Sequence, residues 1–133
     1  MNAAVLDTNV LIGFLERGGA VADALRPFDR LLVPAAVDAE FRAGLDPAAR
    51  VGRERAALLD RFLEDPSVEF LPAGRPESLK YAQIFRYLKG RGKPIPLHDI
   101  WIAAAALVRD VPLATFDAHF ARIPLLRLAD CSV

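Results

Sequence analysis

From Ile100 to Val108 the chain reads IWIAAAALV, apolar at every position until Arg109 and Asp110 close the run. A helix without a polar face has to be buried on most sides. Its packing partner follows at once as Pro112-Leu-Ala-Thr-Phe, an apolar run of strand length. Pro94 and Pro96 precede the helix and set its start, because proline is tolerated in a first turn and not inside. The same alternation runs upstream. Ala3-Ala-Val-Leu predicts a first buried strand, and a helix from about Val10 ends at Gly18-Gly19. Ala20 to Arg26 makes a short second helix before Pro27. Leu31-Leu-Val-Pro predicts the second strand, with a helix over Ala35 to Gly44 after it. Pro47 opens a longer amphipathic helix that buries Leu58, Leu59, Phe62 and Leu63. Arg50, Arg53, Arg55 and Arg61 form its solvated side, interleaved with Glu54 and Asp60. Val68-Glu-Phe-Leu-Pro is the third strand, and helix follows from Pro76 to Leu88. One helical turn, a last short strand near Leu125 to Leu128 and a tail complete the chain.

Strands alternating with helices predict an α/β fold, and strands that read as continuous apolar runs are buried on both faces in a parallel sheet. The expected architecture is a Rossmann-like three-layer sandwich, with a mostly parallel central sheet of four to five strands flanked by helices. At 133 residues the chain is expected to form one domain, 1–133.

Composition adds constraints on location. The chain is 53% hydrophobic and 26% charged, as in an ordinary globular protein. Its longest apolar run is too short for a bilayer, so no membrane association is expected. MNAAVLD has no basic region ahead of its apolar residues, which argues against a signal peptide. A single cysteine, Cys131, rules out an internal disulfide and suits a reducing cytoplasm. Seventeen basic residues balance seventeen acidic ones, so no global field attracts nucleic acid and any binding must be local. One stretch qualifies. Ser78 to His98 holds Lys80, Arg86, Lys89, Arg91 and Lys93, with Tyr81 and Tyr87 interleaved and no acid. Such a run can hold phosphates and stack bases, or be a solvated helix end.

The candidate chemistry lies in four acids. Asp7 and Asp117 follow predicted strands, where open parallel sheets bind ligands. Asp99 sits in the first turn of the apolar helix, on the face of Ile102, Ala103 and Ala106. Glu40 lies three residues after Val37, on the flank of an apolar face. Asp38, four residues before Arg42, reads instead as half of a solvated ion pair. Each of these aspartates, taken alone, also suits a helix cap. Together they would repel and raise one another's pKa, unless a hard cation such as Mg²⁺, or Mn²⁺ in its place, neutralised them. No phosphate-binding glycine loop, nucleophile elbow, zinc-binding H-E-x-x-H or cysteine pair competes with this reading.

The motifs VLDTNVLIGFL, VDAEFRAG, IPLHDIWIAAAAL and LATFDAHF, in that order and spacing, resemble those of PIN-domain proteins. Within that family the chain is similar to the VapC toxins of bacterial toxin–antitoxin pairs, from the first strand to the last. The resemblance implies a PIN-like fold and a Mg²⁺-dependent endoribonuclease, usually a homodimer, held inactive by a VapB-type antitoxin. By it, Asp7, Glu40, Asp99 and Asp117 correspond to the acidic metal-binding and catalytic residues. Thr115 corresponds to the hydroxyl residue supporting the last acid, and Thr8 and Asn9 to polar support of the first. Two positions depart from the family pattern. Ala35 and Ala36 stand where a hydroxyl residue is common, and His98 where a small polar residue is. An oxygen site for Mg²⁺ does not need imidazole, so His98 is expected at the cleft mouth and His119 packed or hydrogen-bonded in its turn.

Two rival readings remain at this level. A PIN-like module that only binds RNA or a partner would need all four acids to be caps or ion pairs. The haloacid dehalogenase-type phosphatases also place an aspartate after a first strand, but expect a second two residues on, where this chain has Asn9. For a nuclease, restraint is expected from another chain, with an arginine of the antitoxin forking onto the cleft acids.

Overall fold

The apolar runs of strand length become the five strands of one sheet. In the computed structural model, which describes residues 2–131, β1 (Ala3–Leu6), β2 (Arg30–Pro34), β3 (Val68–Leu71), β4 (Leu113–Thr115) and β5 (Leu128–Asp130) stand in the order β3-β2-β1-β4-β5. Every adjacent pair is parallel. Between them run α1 (Thr8–Glu16), α2 (Ala20–Leu25), α3 (Ala35–Ala43), α4 (Arg50–Glu64), α5 (Arg75–Gly90) and α6 (Leu97–Arg109). Parallel strands need such crossovers, and the helices cover the apolar surface of the sheet. Ala4 to Leu6, Val33, Leu113 and Ala114 are fully buried. The centre of α6 is buried too, at every residue from Ile102 to Ala106, as a helix with no polar face requires. No helix among the described residues is long and apolar enough to cross a membrane.

The sheet's order places the site. From β1 the chain moves outward through β2 and β3, then returns across the sheet to β4 on the other side of β1. This reversal opens a crevice beyond the carboxyl ends of β1 and β4. Leu6 pairs with Ala114 in register, so Asp7 and Thr115 come level and the Asp7 N–H donates to the Ala114 carbonyl at 3.0 Å.

Among the boundaries that differ from the sequence reading, two have a plain local cause. Helix α4 starts at Arg50 rather than Pro47, because Asp46 holds residues 46–49 in a turn, accepting from the N–H of Ala48 and of Ala49. That turn crosses α4 so closely at Gly52 that a Cβ there would stand 2.0 Å from the Asp46 carbonyl oxygen. Only glycine fits. The last strand begins at Leu128, not Leu125, since Leu125 takes a left-handed φ of 67° and is 92% exposed in a turn. The expected tail lies, beyond Cys131, outside the described residues.

Candidate active site

Asp7 ends β1 and caps α1. One carboxylate oxygen accepts the Thr8 N–H at 2.8 Å, and the other accepts the Thr115 hydroxyl at 2.8 Å. Thr115 Oγ1 in turn accepts the Asp117 N–H at 2.9 Å. The hydroxyl expected to support the last acid therefore bridges the first and the last. Both Asp7 and Thr115 are buried. Asp117 caps the 3-10 turn Ala118–Arg122, accepting the His119 N–H at 3.3 Å. The capping and functional readings of these aspartates are thus compatible, because capping engages only part of each carboxylate.

Asp99 sits in the first turn of α6 and is 8% exposed. An imidazole stands on each side of it. His98 Nε2 lies 3.2 Å from Asp99 Oδ1 and 2.6 Å from Glu40 Oε2. His119 Nε2 lies 3.0 Å from Asp99 Oδ2, and its Nδ1 lies 2.9 Å from Asp117 Oδ1. His98 lines the cleft, as expected. His119 does more than pack in its turn, since it ties Asp99 to Asp117. The departures from the family pattern also connect. Helix α3 begins without a side-chain cap at Ala35, and Glu40 has His98 as its partner instead.

These contacts draw the four acids to one cleft of about 450 Å³, which Thr8, Asn9, Ile12, Glu16, Phe41, Arg55 and His98 also line. Burial pushes the Asp7 carboxyl above its ordinary value, and the charges of Asp99 and Glu40 add to this against the pull of its hydrogen bonds from Thr115 and Thr8. Burial likewise raises Asp99, with Glu40 adding and both imidazoles opposing. Asp38 does not join them. It pairs with Arg42 at 3.0 Å on the outside of α3, as its spacing predicts.

Two cleft residues carry no signal in the sequence. Arg55, expected on a solvated helix face, lines the cleft and pairs with Glu16 at 2.9 Å. Thirty-nine positions separate the two, beyond any local periodicity. The basic run, in contrast, divides. Arg91 and Lys93 line a groove with Tyr87 and Arg122, and Lys89 borders a separate apolar one. Lys80 and Arg86 line neither of these two. Tyr81 packs against Trp101 with ring centroids 4.5 Å apart, so it is not a free stacking surface.

Residues 4–126 match the family model described as PIN domain. The chain belongs to the PIN-domain family. Ribonuclease VapC5 of Mycobacterium tuberculosis is 33% identical to this PIN domain over 123 residues, which are 91% of this chain and 87% of that protein. Ribonuclease VapC of Rickettsia bellii is 31% identical over 93% of this chain and 92% of its own. A solved member of the VapBC family of toxin-antitoxin systems, VapBC-5 from M. tuberculosis, superimposes with a TM-score of 0.76 at 29% identity. That match covers 98% of this chain and 99% of the solved one. The match to named ribonucleases replaces the phosphatase reading and identifies this PIN domain as a nuclease.

PIN-domain ribonucleases generally use divalent metal ions, and the donors here suit one in kind. Four carboxylates supply hard oxygen atoms. Thr8 Oγ1 is a buried hydroxyl without a hydrogen-bond partner, beside Asp7 in the cleft wall, and buried polar atoms rarely stay unpaired. As they stand, no three histidine, cysteine or acidic side chains among the described residues are placed to close on one ion.

Proposed function

We propose that this PIN domain is the ribonuclease toxin of a toxin–antitoxin pair, hydrolysing RNA phosphodiester bonds with Mg²⁺, for which Mn²⁺ can substitute. Asp7, Glu40, Asp99 and Asp117 would hold the ion. One observation carries the reading: of the five carboxylates that line one cleft at the ligand-binding edge of the sheet, Asp7, Glu40, Asp99 and Asp117 pair with no lysine or arginine among the described residues, and Glu16 alone has Arg55. Such a cluster stores repulsion that a divalent cation relieves.

When bound, the metal supplies a deprotonated water and charge stabilisation on the phosphodiester. The remaining work falls to this chain's own side chains. Thr115 fixes Asp7 and the backbone of Asp117 from one atom. His98 orients Glu40 and Asp99 from the cleft wall, and His119 orients Asp99 and Asp117. Thr8 and Asn9 are the polar wall beside Asp7. The VapBC likeness supports a VapB-type antitoxin as partner. An acidic cleft is best blocked by a cation, and an antitoxin arginine can fork onto two of these carboxylates.

The test is total RNA incubated with the purified chain in Mg²⁺ or in EDTA, with cut ends mapped against Asp99→Asn. Internal cuts that need both the metal and Asp99 are expected. Cuts that persist in EDTA or in the variant would reject the metal site. Expression should arrest growth unless the antitoxin is co-expressed, and harmless accumulation of active protein would reject the toxin role alone.

A further inference from the structure

The acidic cleft repels the phosphates of the substrate proposed for it, yet a surface of opposite character begins within a few residues of it. Tyr87, Leu88, Arg91, Lys93 and Arg122 line a groove of about 230 Å³ with no acid among them. Several cations elsewhere in this chain of no net charge face carboxylates instead. Arg26 meets Asp23, Arg30 meets Glu69, Arg42 meets Asp38 and Asp60, and Arg50 meets Glu54. Among the described residues Arg91, Lys93 and Arg122 make no such pair. Arg122 Nη1 rests on the Pro94 carbonyl at 3.4 Å. The Arg91 guanidinium lies over the Tyr87 ring, 4.8 Å from its centroid. A guanidinium held on an aromatic face still offers its other face and its donors outward.

Both walls of the groove continue into the cleft. Arg122 lies three residues past His119, one turn of 3-10 helix and roughly 6 Å along its axis. Lys93 and Pro94 lead directly through Ile95 and Pro96 into the first turn of α6, which carries His98 and Asp99. The cleft and the groove are therefore joined by two bridges between the same segments, His119 to Asp99 and Arg122 to Pro94.

We propose that Arg91, Lys93 and Arg122, with Tyr87 backing Arg91, form a second subsite that holds single-stranded RNA beside the acidic cleft. Lys93 and Arg122 take phosphates, and the Arg91 plane takes an unpaired base. RNA as the ligand rests on the nuclease reading; the geometry of the groove does not. Single strands are favoured because a base must leave its stack to lie on a guanidinium or an aromatic ring.

The test is fluorescence anisotropy of the full chain with a labelled single-stranded RNA of roughly ten nucleotides, within the usual range of single-strand sites. EDTA prevents cleavage, and salt is titrated. Replacing Arg91, Lys93 and Arg122 together by Gln should lower the salt slope by about 1.4, at about 0.7 for each of the two phosphate contacts on a single strand. Lys93→Gln and Arg122→Gln alone should each lower it by about 0.7, and Arg91→Gln should weaken single-strand binding with little change of slope, which keeps the test decisive if the triple variant does not fold. Tyr87→Ala should weaken single-strand binding roughly fivefold or more and leave binding of duplex RNA unchanged. Arg50→Gln, at a residue that lines neither the groove nor the cleft, should change nothing. Wild-type slope and affinity in the triple variant, or no binding by the wild type, would overturn the subsite. RNA binding through the groove without any cleavage would instead remove the nuclease reading and leave the subsite standing.

Discussion

Asp38 and Glu40 lie two residues apart on α3, and the molecule treats them in opposite ways. Asp38 meets Arg42, which reaches on to Asp60 at 2.7 Å. Glu40 meets only the His98 imidazole. The contrast extends to the regions they belong to. On the outer surface, several carboxylates are matched by guanidinium groups, as in Asp23–Arg26, Glu54–Arg50 and Glu69–Arg30. In the cleft, Asp7, Asp99 and Asp117 are met by hydroxyl, imidazole and backbone N–H groups. A guanidinium stays charged at any working pH and holds both carboxylate oxygens. Hydroxyl and imidazole donors leave lone pairs for a further cation. Even Arg55, in the cleft wall, is tied to Glu16. The paired outer acids are neutralised for good, and Asp7, Glu40, Asp99 and Asp117 are kept available.

The change expected to break this contrast most severely is Asp99→Asn. It keeps shape but turns one acceptor oxygen into an amide donor and removes the charge on which two imidazoles converge. Loss of a partner that merely supports a metal ligand typically costs 10- to 100-fold, so RNA cleavage should fall by roughly a hundredfold or more. Asp38→Asn should stay near wild type in the same gel assay. Equal activity of the two variants would erase the distinction.

Thr115→Val comes next. The substitution keeps volume while deleting a buried hydroxyl that donates to Asp7 and accepts from the Asp117 N–H. The buried Asp7 carboxylate loses a hydrogen bond of a kind worth about 1.5–3 kcal/mol, and cleavage should fall about tenfold through the two misplaced acids. The lost bond is also the one that most opposes the upward shift of Asp7. The variant's activity should therefore fade at a higher pH than the wild type's as acid is added. A wild-type profile would make Thr115 a packing residue only.

Asp7→Asn probes the repulsion itself, and its effect on stability is smaller. A carboxyl raised by folding is destabilising while ionised, and that penalty vanishes as pH falls through its folded pKa towards the unfolded value. In EDTA at neutral pH the variant should melt a few degrees higher than wild type, the scale of about 1 kcal/mol in a domain of this size. The gap should close on acidification. Mg²⁺ should raise the wild-type midpoint and not that of Asp99→Asn. Melts without these differences would mean that the acids do not act as a cluster.

The pattern of the chain reaches some of this and not the rest, for a physical reason. Alternating apolar runs determine the α/β layers because burial is imposed residue by residue, and α6 is legible from IWIAAAALV alone. The strand ends that carry Asp7 and Asp117 follow from the same runs. The ion pair of Asp38 with Arg42 is legible because one helical turn brings them together. What joins distant segments is not. His119 on Asp99, Arg55 on Glu16 and Arg122 beside Arg91 and Lys93 depend on how the helices and turns settle on the sheet. The misplaced last strand has a local cause, the left-handed Leu125, which leucine rarely adopts and no apolar pattern reveals.

The smallest expected effect tests the other side of the contrast. Asp38→Ala removes a carboxylate that is 19% exposed from an Arg42 that is 37% exposed and retains Asp60. An exposed or half-buried ion pair contributes about 0.2–1 kcal/mol and is screened by salt. The retained partner keeps Arg42 from being stranded, so the cost should lie near the lower end, roughly 0.3–0.5 kcal/mol. It should shrink as salt is added. Mg²⁺ should not alter it, since Asp38 does not line the cleft. A double-mutant cycle of Asp38→Ala with Asp99→Asn, followed by thermal melts, should therefore be additive, as for residues with no shared partner. Coupling between the two would mean that the outer pairs and the cleft form one charge network, and that the division between neutralised and available acids is not a property of this fold.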